Sequence, residues 1–161
     1  MTVHSIDRLS SGQTKLDRLG ERAANHHETV FNNLGHIIDE ELLKQAYHQL
    51  ASKKAVGIDG VTKEAYGERL EENICDLFRR IRRGIYRPRP ARVVEIPKED
   101  GSKRPLAGSC LEDKVVQSAV SMILTKIYEP VFLPCSYGFR PGRNGHDALR
   151  ALTKHTYVCW D

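Results

Sequence analysis

The feature that most constrains the fold is the segment 92–106, whose sequence RVVEIPKEDGSKRPL predicts a β-hairpin. Three β-branched residues near its start favour a strand, and Asp100-Gly101 is a strong turn signal because glycine tolerates the positive φ of tight turns. Lys98 and Arg104 lie on opposite arms of this turn, so the folded hairpin brings two cations close together. An arginine fork and a compact ammonium group suit a polyphosphate. The alternative is a solvated hairpin with ordinary surface charges.

Positive charge is concentrated in one part of the chain. The protein has 25 Lys and Arg against 21 Asp and Glu, a formal net charge of +4. Ten of the basic residues but only three of the acidic ones lie between Arg79 and Arg104. Such a block favours a polyanionic partner whose binding weakens as salt rises, although a solvated basic helix face has the same composition. The candidates for nucleic-acid contact in its helical part are Arg79, Arg80, Arg82 and Arg83.

Composition argues against several classes of protein. The four cysteines are widely spaced without a Cys-x-x-Cys pair, and the seven histidines lack the spacing of zinc ligands, so we expect free thiols and no structural metal. No apolar run approaches the ~20 residues that cross a bilayer. The N-terminus lacks the apolar core of a secretory signal. We therefore expect a cytoplasmic protein that does not enter a membrane.

Apolar periodicity predicts a mainly helical chain around the hairpin. Residues 1–20 resemble a flexible leader, and a surface helix is possible from about residue 16 to residue 31. Further helices are predicted at 39–52, 62–83, 109–129 and 144–152, with a capping box at 109–112 and a strand at 157–160. This order of helices and strands predicts the α+β class.

A second candidate binding element is the loop 136–143, with the sequence SYGFRPGR. Aromatic faces stack on bases, arginine contacts phosphate, and glycine permits close approach of a backbone. Tyr137, Arg140 and Arg143 are therefore predicted to contact nucleic acid. The alternative is that Tyr137 and Phe139 anchor the loop into the core.

The tight loop Gly57–Gly60 is a third candidate, because Lys53 and Lys54 precede it and could clamp a nucleic-acid backbone. A structural turn between two helices explains the same residues equally well. No catalytic residue is predicted, since His146 and Asp147 are adjacent on a helix and point in different directions.

Six of these segments, in this order, resemble motifs of the group II intron-encoded reverse transcriptases/maturases. The resemblance covers about residues 20–150, and collinear motifs are more specific than any single one. They are VFNNL (30–34), AVGIDGVT (55–62), GIYRP (84–88), IPKEDGSKRPL (96–106), LEDKVVQ (111–117) and SYGFRPGR (136–143).

The resemblance implies part of a right-hand polymerase. Residues 21–90 would form the helical N-terminal extension, and residues 91–161 the fingers and the start of the palm. It implies that Lys98 and Arg104 contact the triphosphate of the incoming deoxynucleotide (dNTP). The loop 136–143 would help to hold template and primer DNA, and the extension would grip template or intron RNA. We also expect the hairpin and the loop to converge on one groove.

The resemblance also implies what this chain does not do. The family polymerises with Mg²⁺ bound to palm carboxylates, and its Ala-Asp-Asp palm sequence does not occur here. Asp161 follows a strand-like run, but an ordinary terminal acid explains it better. We expect an inactive fragment that binds RNA, with no cofactor of its own. The alternatives are a stand-alone RNA-binding module and a poorly folded gene remnant.

Overall fold

The computed structural model describes residues 11–26, 28–52 and 55–158. This part of the chain contains six α-helices, one short 3-10 helix and one two-stranded antiparallel sheet, which is compatible with the predicted α+β class. In chain order the elements are α1 (Ser11–Asn25), the 3-10 helix (Leu34–Ile37), α2 (Glu40–Gln49), α3 (Lys63–Gly67), α4 (Leu70–Arg82), β1 (Arg92–Pro97), β2 (Lys103–Gly108), α5 (Leu111–Tyr128) and α6 (Gly145–Val158).

The first helix includes residues that the sequence assigned to a flexible leader. Helix α1 begins at Ser11, and Leu16 and Ala23, which lie on its inner face, are buried. Apolar residues are sparse here, but this spacing of seven residues equals two helical turns and gives one buried stripe. The Lys126 ammonium lies 2.7 Å from a carboxylate oxygen of Asp17 and ties α1 to α5.

Helices α1, α2, α4 and α5 enclose the hydrophobic core, and α5 contacts both α1 and α2. The broad apolar stripe of α5 correctly predicted its central position. The carboxylate of Asp39 accepts a hydrogen bond of 2.9 Å from the Leu42 amide and caps α2. Side chains that are fully buried include Leu42, Leu43, Ile74, Leu77 and Val115. The helix bundle therefore has a core that does not depend on the hairpin or on α6.

The single helix predicted from 62 to 83 is two helices. Thr62 caps α3 as predicted, but α3 ends at Gly67 and α4 starts three residues later. A Cβ at Gly67 would lie 2.4 Å from the Tyr47 hydroxyl oxygen, so that hydroxyl packs directly against the backbone where the helix ends. The Asn73 side chain then donates to the Tyr66 carbonyl at 2.9 Å. The junction between α3 and α4 thus lies where α2 contacts the chain. The apolar periodicity of residues 62–83 gives no sign of this contact.

The capping box and the C-terminal strand were predicted wrongly. Cys110 is the N-cap of α5 and makes no side-chain capping bond. Asn144 does cap α6, where its side-chain oxygen accepts from the Asp147 amide at 3.0 Å. Helix α6 then continues to Val158, past the predicted end at residue 152. Residues 159–161, which include Asp161, lie outside the described residues.

Helix length and hydropathy bear on membrane insertion. Among the residues that the structure describes, no helix is long and apolar enough to span a bilayer.

Candidate nucleic-acid interface

The predicted hairpin is present, and its turn is built by Asp100 and Gly101. The Lys98 amide donates to the Ser102 carbonyl at 2.7 Å, which leaves a three-residue loop that ends at Gly101 with φ +79°. This is the three-residue hairpin loop that requires a left-handed residue, usually glycine. The Ser102 hydroxyl and amide both donate to the Asp100 carboxylate and lower its pKa. The turn is therefore fixed by its own side chains.

The two strands place the predicted cations on one face of the hairpin. Ile96 pairs with Arg104, and Pro97 pairs with Lys103. Because side chains alternate along a strand, Lys98 and Arg104 share the face of Ile96. They line a shallow groove at the hairpin tip, together with Ile96, Pro97, Glu99 and Asp100. We call this surface the cationic face.

The opposite face carries a third cation that is already paired. The Lys103 ammonium lies 2.9 Å from a carboxylate oxygen of Glu95. Within the described residues, neither Lys98 nor Arg104 has such an ion-pair partner. The hairpin thus separates two unpaired cations from a paired one.

The hairpin projects away from the helix bundle. Its strands are exposed on both faces, and Val93 is 62% exposed and Val94 49% exposed. An isolated two-stranded sheet is only marginally stable in water. Contacts at the base of the hairpin, where it joins α4 and α5, must therefore set its direction.

One of these contacts is the buried carboxylate of Asp113, which is only 3% exposed. It accepts a hydrogen bond from the Tyr86 hydroxyl and another, 3.1 Å long, from the Arg89 amide. Burial, followed by this hydrogen bond and the charge of Asp113, raises the pKa of Tyr86. The motif LEDKVVQ thus contributes an acid that holds the segment leading into the hairpin.

The Gly57–Gly60 loop packs against the same base. A Cβ at Gly57 would lie 2.5 Å from the Cys110 Cα atom, so only glycine fits there. Asp59, whose side chain is 10% exposed, pairs with the Arg89 guanidinium at 3.6 Å. These contacts favour the structural interpretation of the loop. The predicted clamp residues Lys53 and Lys54 lie outside the described residues.

The four arginines of the basic helix differ in their contacts. Arg80 is paired with Asp76 at 2.8 Å and with Glu112, and these hydrogen bonds, led by the one with Glu112, raise its pKa. Its guanidinium joins α4 to α5, so the contacts favour a structural role over the predicted nucleic-acid contact. The side chain of Arg79 is 55% exposed. Arg82 and Arg83 are exposed, and neither has an ion-pair partner among the described residues.

Arg140 was also predicted to contact nucleic acid, but its side chain is 7% exposed. Its guanidinium donates to Glu129 at 2.8 Å and to the carbonyls of Leu133 and Ser136 at 3.0 and 2.9 Å. It also lies 5.1 Å from the centre of the Phe132 ring. The hydrogen bonds from Arg140 lower the pKa of Glu129. Arg140 is thus used to hold the loop together.

The same loop exposes one aromatic residue that sequence reasoning did not select. Phe139 has a φ of +57° and a relative exposure of 112%, so it is not the core anchor of the alternative interpretation. Arg143 donates to the Pro134 carbonyl at 2.7 Å and lies 5.2 Å from the centre of the Tyr137 ring. The left-handed backbone conformation of Phe139 turns its ring outward, and the residue types of the loop do not predict that conformation.

The hairpin and this loop are attached to opposite ends of α5, and their convergence on one groove stays a prediction. The hairpin precedes the first residue of α5 and the loop follows the last, and an 18-residue helix is ~27 Å long. No hydrogen bond, ion pair or ring contact joins the two in the described part of the chain. They are two surfaces at opposite ends of α5.

The family that the sequence resembles uses Mg²⁺, which would require a cluster of acidic side chains. Within 11–26, 28–52 and 55–158, no three His, Cys, Asp or Glu side chains form a group that could hold a metal ion. The described residues therefore do not fit such a site.

Known proteins provide an independent comparison. No protein-family model matches the chain. It is 33% identical over 141 residues to "Group II intron-encoded protein LtrA" of Lactococcus lactis subsp. cremoris, covering 86% of this chain and 24% of that protein. It is 42% identical over 122 residues to "Protein YkfC" of Escherichia coli K12, covering 74% of this chain and 32% of that protein.

A shorter match covers 44 residues of "Nuclear intron maturase 2, mitochondrial" of Arabidopsis thaliana at 43% identity, 27% of this chain and 6% of that protein. The chain thus spans a third or less of the length of each of these relatives.

Proposed function

This chain is homologous over most of its length to group II intron-encoded proteins, and we propose that it is the RNA-binding and nucleotide-binding part of a reverse transcriptase/maturase. In this proposal the helix bundle is the N-terminal extension, and the hairpin with α5 forms the fingers of a right-hand polymerase. The name of the Arabidopsis relative describes an intron maturase, which supports intron RNA as the partner. Primer DNA and a deoxynucleoside triphosphate complete the set of proposed ligands.

The observation that carries the proposal is the cationic face. Lys98 and Arg104 share it, and neither is neutralised by an ion pair within the described residues. A triphosphate is a dense anion, and a guanidinium fork offers its oxygens two parallel hydrogen bonds while an ammonium adds a point charge. Glu99 and Asp100 line the same groove, and their negative charges oppose the binding of any anion, so the attraction of Lys98 and Arg104 must outweigh this repulsion.

The role of this chain is to bind and to orient. In the family, Mg²⁺ on palm carboxylates supplies the chemistry of nucleotide addition. Here Arg104 and Lys98 would hold the phosphates at the tip of the hairpin, whose turn is fixed by the Asp100 hydrogen bonds. The template would lie against exposed side chains elsewhere on the molecule.

The proposed RNA contacts are those that the structure leaves exposed. The arginines at the C-terminal end of α4, Arg79, Arg82 and Arg83, offer charge to phosphates. Phe139 offers a bare aromatic face, and stacking of one base is worth roughly 1–3 kcal/mol. Tyr137 and Arg143 flank it as a stacked pair, which can extend the same surface.

Retention of labelled single-stranded RNA at increasing salt tests this function. We expect retention by the purified chain to fall steeply with salt, because phosphate contacts release counterions. The double variant Arg82→Gln/Arg83→Gln is expected to bind more weakly and with a smaller salt slope. The matched control Arg18→Gln/Arg22→Gln removes two exposed arginines from α1 and is expected to bind as the wild type does.

Primer extension completes this test. The purified chain is expected to yield no cDNA on a primed RNA template. Equal losses for the two arginine pairs would contradict the proposed RNA surface, and cDNA synthesis would contradict the proposed inactivity.

A stand-alone RNA-binding module is the second candidate, and the exposed arginines of α4 favour it as well. The two candidates differ in what the cationic face binds. A module of that kind loses RNA affinity when Lys98 and Arg104 are replaced and binds no triphosphate. A polymerase part loses triphosphate affinity selectively.

A further inference from the structure

The direction of the hairpin depends on two covalent connections. One is the segment 86–91 that leads into β1, and the other is Ser109-Cys110, which leads from β2 into α5. The hairpin strands themselves are exposed on both faces. The contacts of these two connections with the bundle are therefore the means by which the cationic face is oriented.

The incoming connection is held by Asp113. Its carboxylate accepts from the Tyr86 hydroxyl and the Arg89 amide, which lie three residues apart on the same segment. A buried carboxylate with two donors makes strong charge-assisted hydrogen bonds. Asp113 lies in the first turn of α5, so these bonds fix the segment to a helix that packs against both α1 and α2.

The outgoing connection is held by the Gly57–Gly60 loop. Cys110 is fully buried, and the Gly57 backbone lies directly against it. The Lys114 ammonium donates to the Ala55 carbonyl at 2.8 Å and ties α5 to the segment before this loop. The loop thus covers the joint between β2 and α5.

Arg89 connects the contacts of Asp113 with the Gly57–Gly60 loop. Its amide donates to Asp113, and its guanidinium lies 3.6 Å from the carboxylate of Asp59, a residue of the loop. The other oxygen of Asp59 accepts from the Val61 amide at 3.3 Å, so this carboxylate is itself held in place. Arg89 therefore joins the loop to the incoming connection, in addition to the packing of Gly57 on Cys110 at the outgoing one.

We propose that Asp59, Arg89 and Asp113 are positioning residues that make the Gly57–Gly60 loop and the hairpin a single unit. A ligand that fixes the loop then also fixes the direction of the cationic face. The coupling deepens the proposed function, on which it rests for the identity of the ligand at the hairpin. The coupling itself is a property of the free chain.

Backbone ¹⁵N relaxation of the full chain tests the proposal. Arg89→Ala removes the guanidinium but keeps the amide that binds Asp113, and Asp59→Asn keeps the acceptor for Val61 but removes the charge. The matched control is Arg87→Ala, because among the described residues the Arg87 guanidinium of the same segment bonds only to the carbonyls of Gly84 and Tyr86. Tyr86→Phe removes a single donor from Asp113 and is milder than replacing that buried acid.

The expected results differ among the variants. In the wild type and in Arg87→Ala, hairpin and loop amides are expected to be as rigid as α5, with order parameters of ~0.85. In Arg89→Ala and Asp59→Asn, both the loop and the hairpin are expected to loosen toward ~0.6. Tyr86→Phe is expected to loosen the hairpin alone. Loosening of the loop alone in Arg89→Ala, or no change in either element, would overturn the coupling.

Titration with a deoxynucleoside triphosphate separates this proposal from the proposed function. If the wild type binds it, Arg89→Ala is expected to lower the affinity by about fivefold or more, the usual range of coupling between sites. A wild type that binds no triphosphate contradicts the proposed function, while the relaxation data still decide the coupling. Unchanged affinity in Arg89→Ala would contradict the coupling and leave the proposed function standing.

Discussion

At the scale of single residues, Phe139 shows how a backbone angle determines what a side chain can bind. Its φ of +57° is unusual for a bulky residue and costs free energy that glycine would not pay. The cost is tolerated because Arg140, with its carboxylate and carbonyl partners, fixes the loop around it. Strain of this kind is often found at functional sites.

Replacing Phe139 is predicted to separate stability from RNA binding. Phe139→Gly relieves the strained backbone and removes an exposed ring, so the free energy of unfolding is expected to change by less than about 1 kcal/mol. RNA affinity is expected to fall by roughly 1–3 kcal/mol through lost stacking, and Phe139→Trp is expected to retain it. Urea unfolding and RNA titration measure the two quantities. A large loss of stability with unchanged RNA affinity would mean that the ring packs against protein.

The Glu129–Arg140 pair is predicted to make the loop sensitive to acid. The hydrogen bonds from Arg140 lower the pKa of Glu129 below its ordinary value of 4.5. The folded state therefore favours the ionised form, and the stabilisation is fully present above pH 4.5 and is lost as the pH falls through the lowered pKa. Urea unfolding at neutral and at acidic pH measures this loss.

Two variants provide the comparison for this acid sensitivity. Glu129→Gln is expected to be less stable than the wild type at neutral pH, and the difference is expected to shrink in acid. The control Glu21→Gln replaces an exposed acid that has no ion-pair partner among the described residues. A constant difference for Glu129→Gln at all pH values would contradict the assignment of the pair.

Residue type alone did not distinguish exposed arginines from arginines that hold the fold. Arg80 and Arg82 are two residues apart on α4, so they point in different directions, and only Arg80 meets Glu112 of the next helix. Arg140 is paired with Glu129, whereas Arg143 donates to the Pro134 carbonyl and lies over the Tyr137 ring. These partners come from other elements, so a pattern of basic residues predicts the block of charge but not the contacts within it.

At the scale of elements, the sequence predicted the features that depend only on neighbouring residues in the chain. The Asp100-Gly101 turn was predicted from two residues and is present, with Gly101 in the left-handed region. The division of the helix predicted at 62–83 was missed, and it falls where the Tyr47 hydroxyl of α2 lies against Gly67, a contact that local periodicity does not reveal. The continuation of α6 to Val158 was missed as well, since β-branched and aromatic residues there favoured a strand.

The Gly57–Gly60 loop is predicted to depend on its first glycine. Gly57→Ala would place a Cβ 2.5 Å from the Cys110 Cα atom and 2.8 Å from its nitrogen, both backbone atoms. Overpacking of this kind costs about 1–3 kcal/mol. Gly138→Ala is the control, since a Cβ there meets nothing within 4 Å. Urea unfolding checks both, and equal effects would contradict the packing of the loop on Cys110.

At the scale of the whole molecule, the core and the candidate surfaces occupy different parts of the chain. The bundle buries residues from α1, α2, α4 and α5, and this argues against the poorly folded remnant. The hairpin and the loop after α5 remain exposed at opposite ends of that helix. The sequence predicted both surfaces from their residues, and the structure attaches them to the two ends of an 18-residue helix.

The central claim is that the cationic face of the hairpin binds the triphosphate of a deoxynucleotide. Calorimetric titration of a deoxynucleoside triphosphate into the wild type and into Lys98→Ala, Arg104→Ala and Lys103→Ala tests it most directly. Each variant removes one positive charge from the same hairpin, but Lys103 lies on the opposite face and is paired with Glu95. We expect the first two variants to lose about tenfold or more in affinity and Lys103→Ala to bind as the wild type does. Equal losses in all three variants would show that only net charge matters and would contradict the claim.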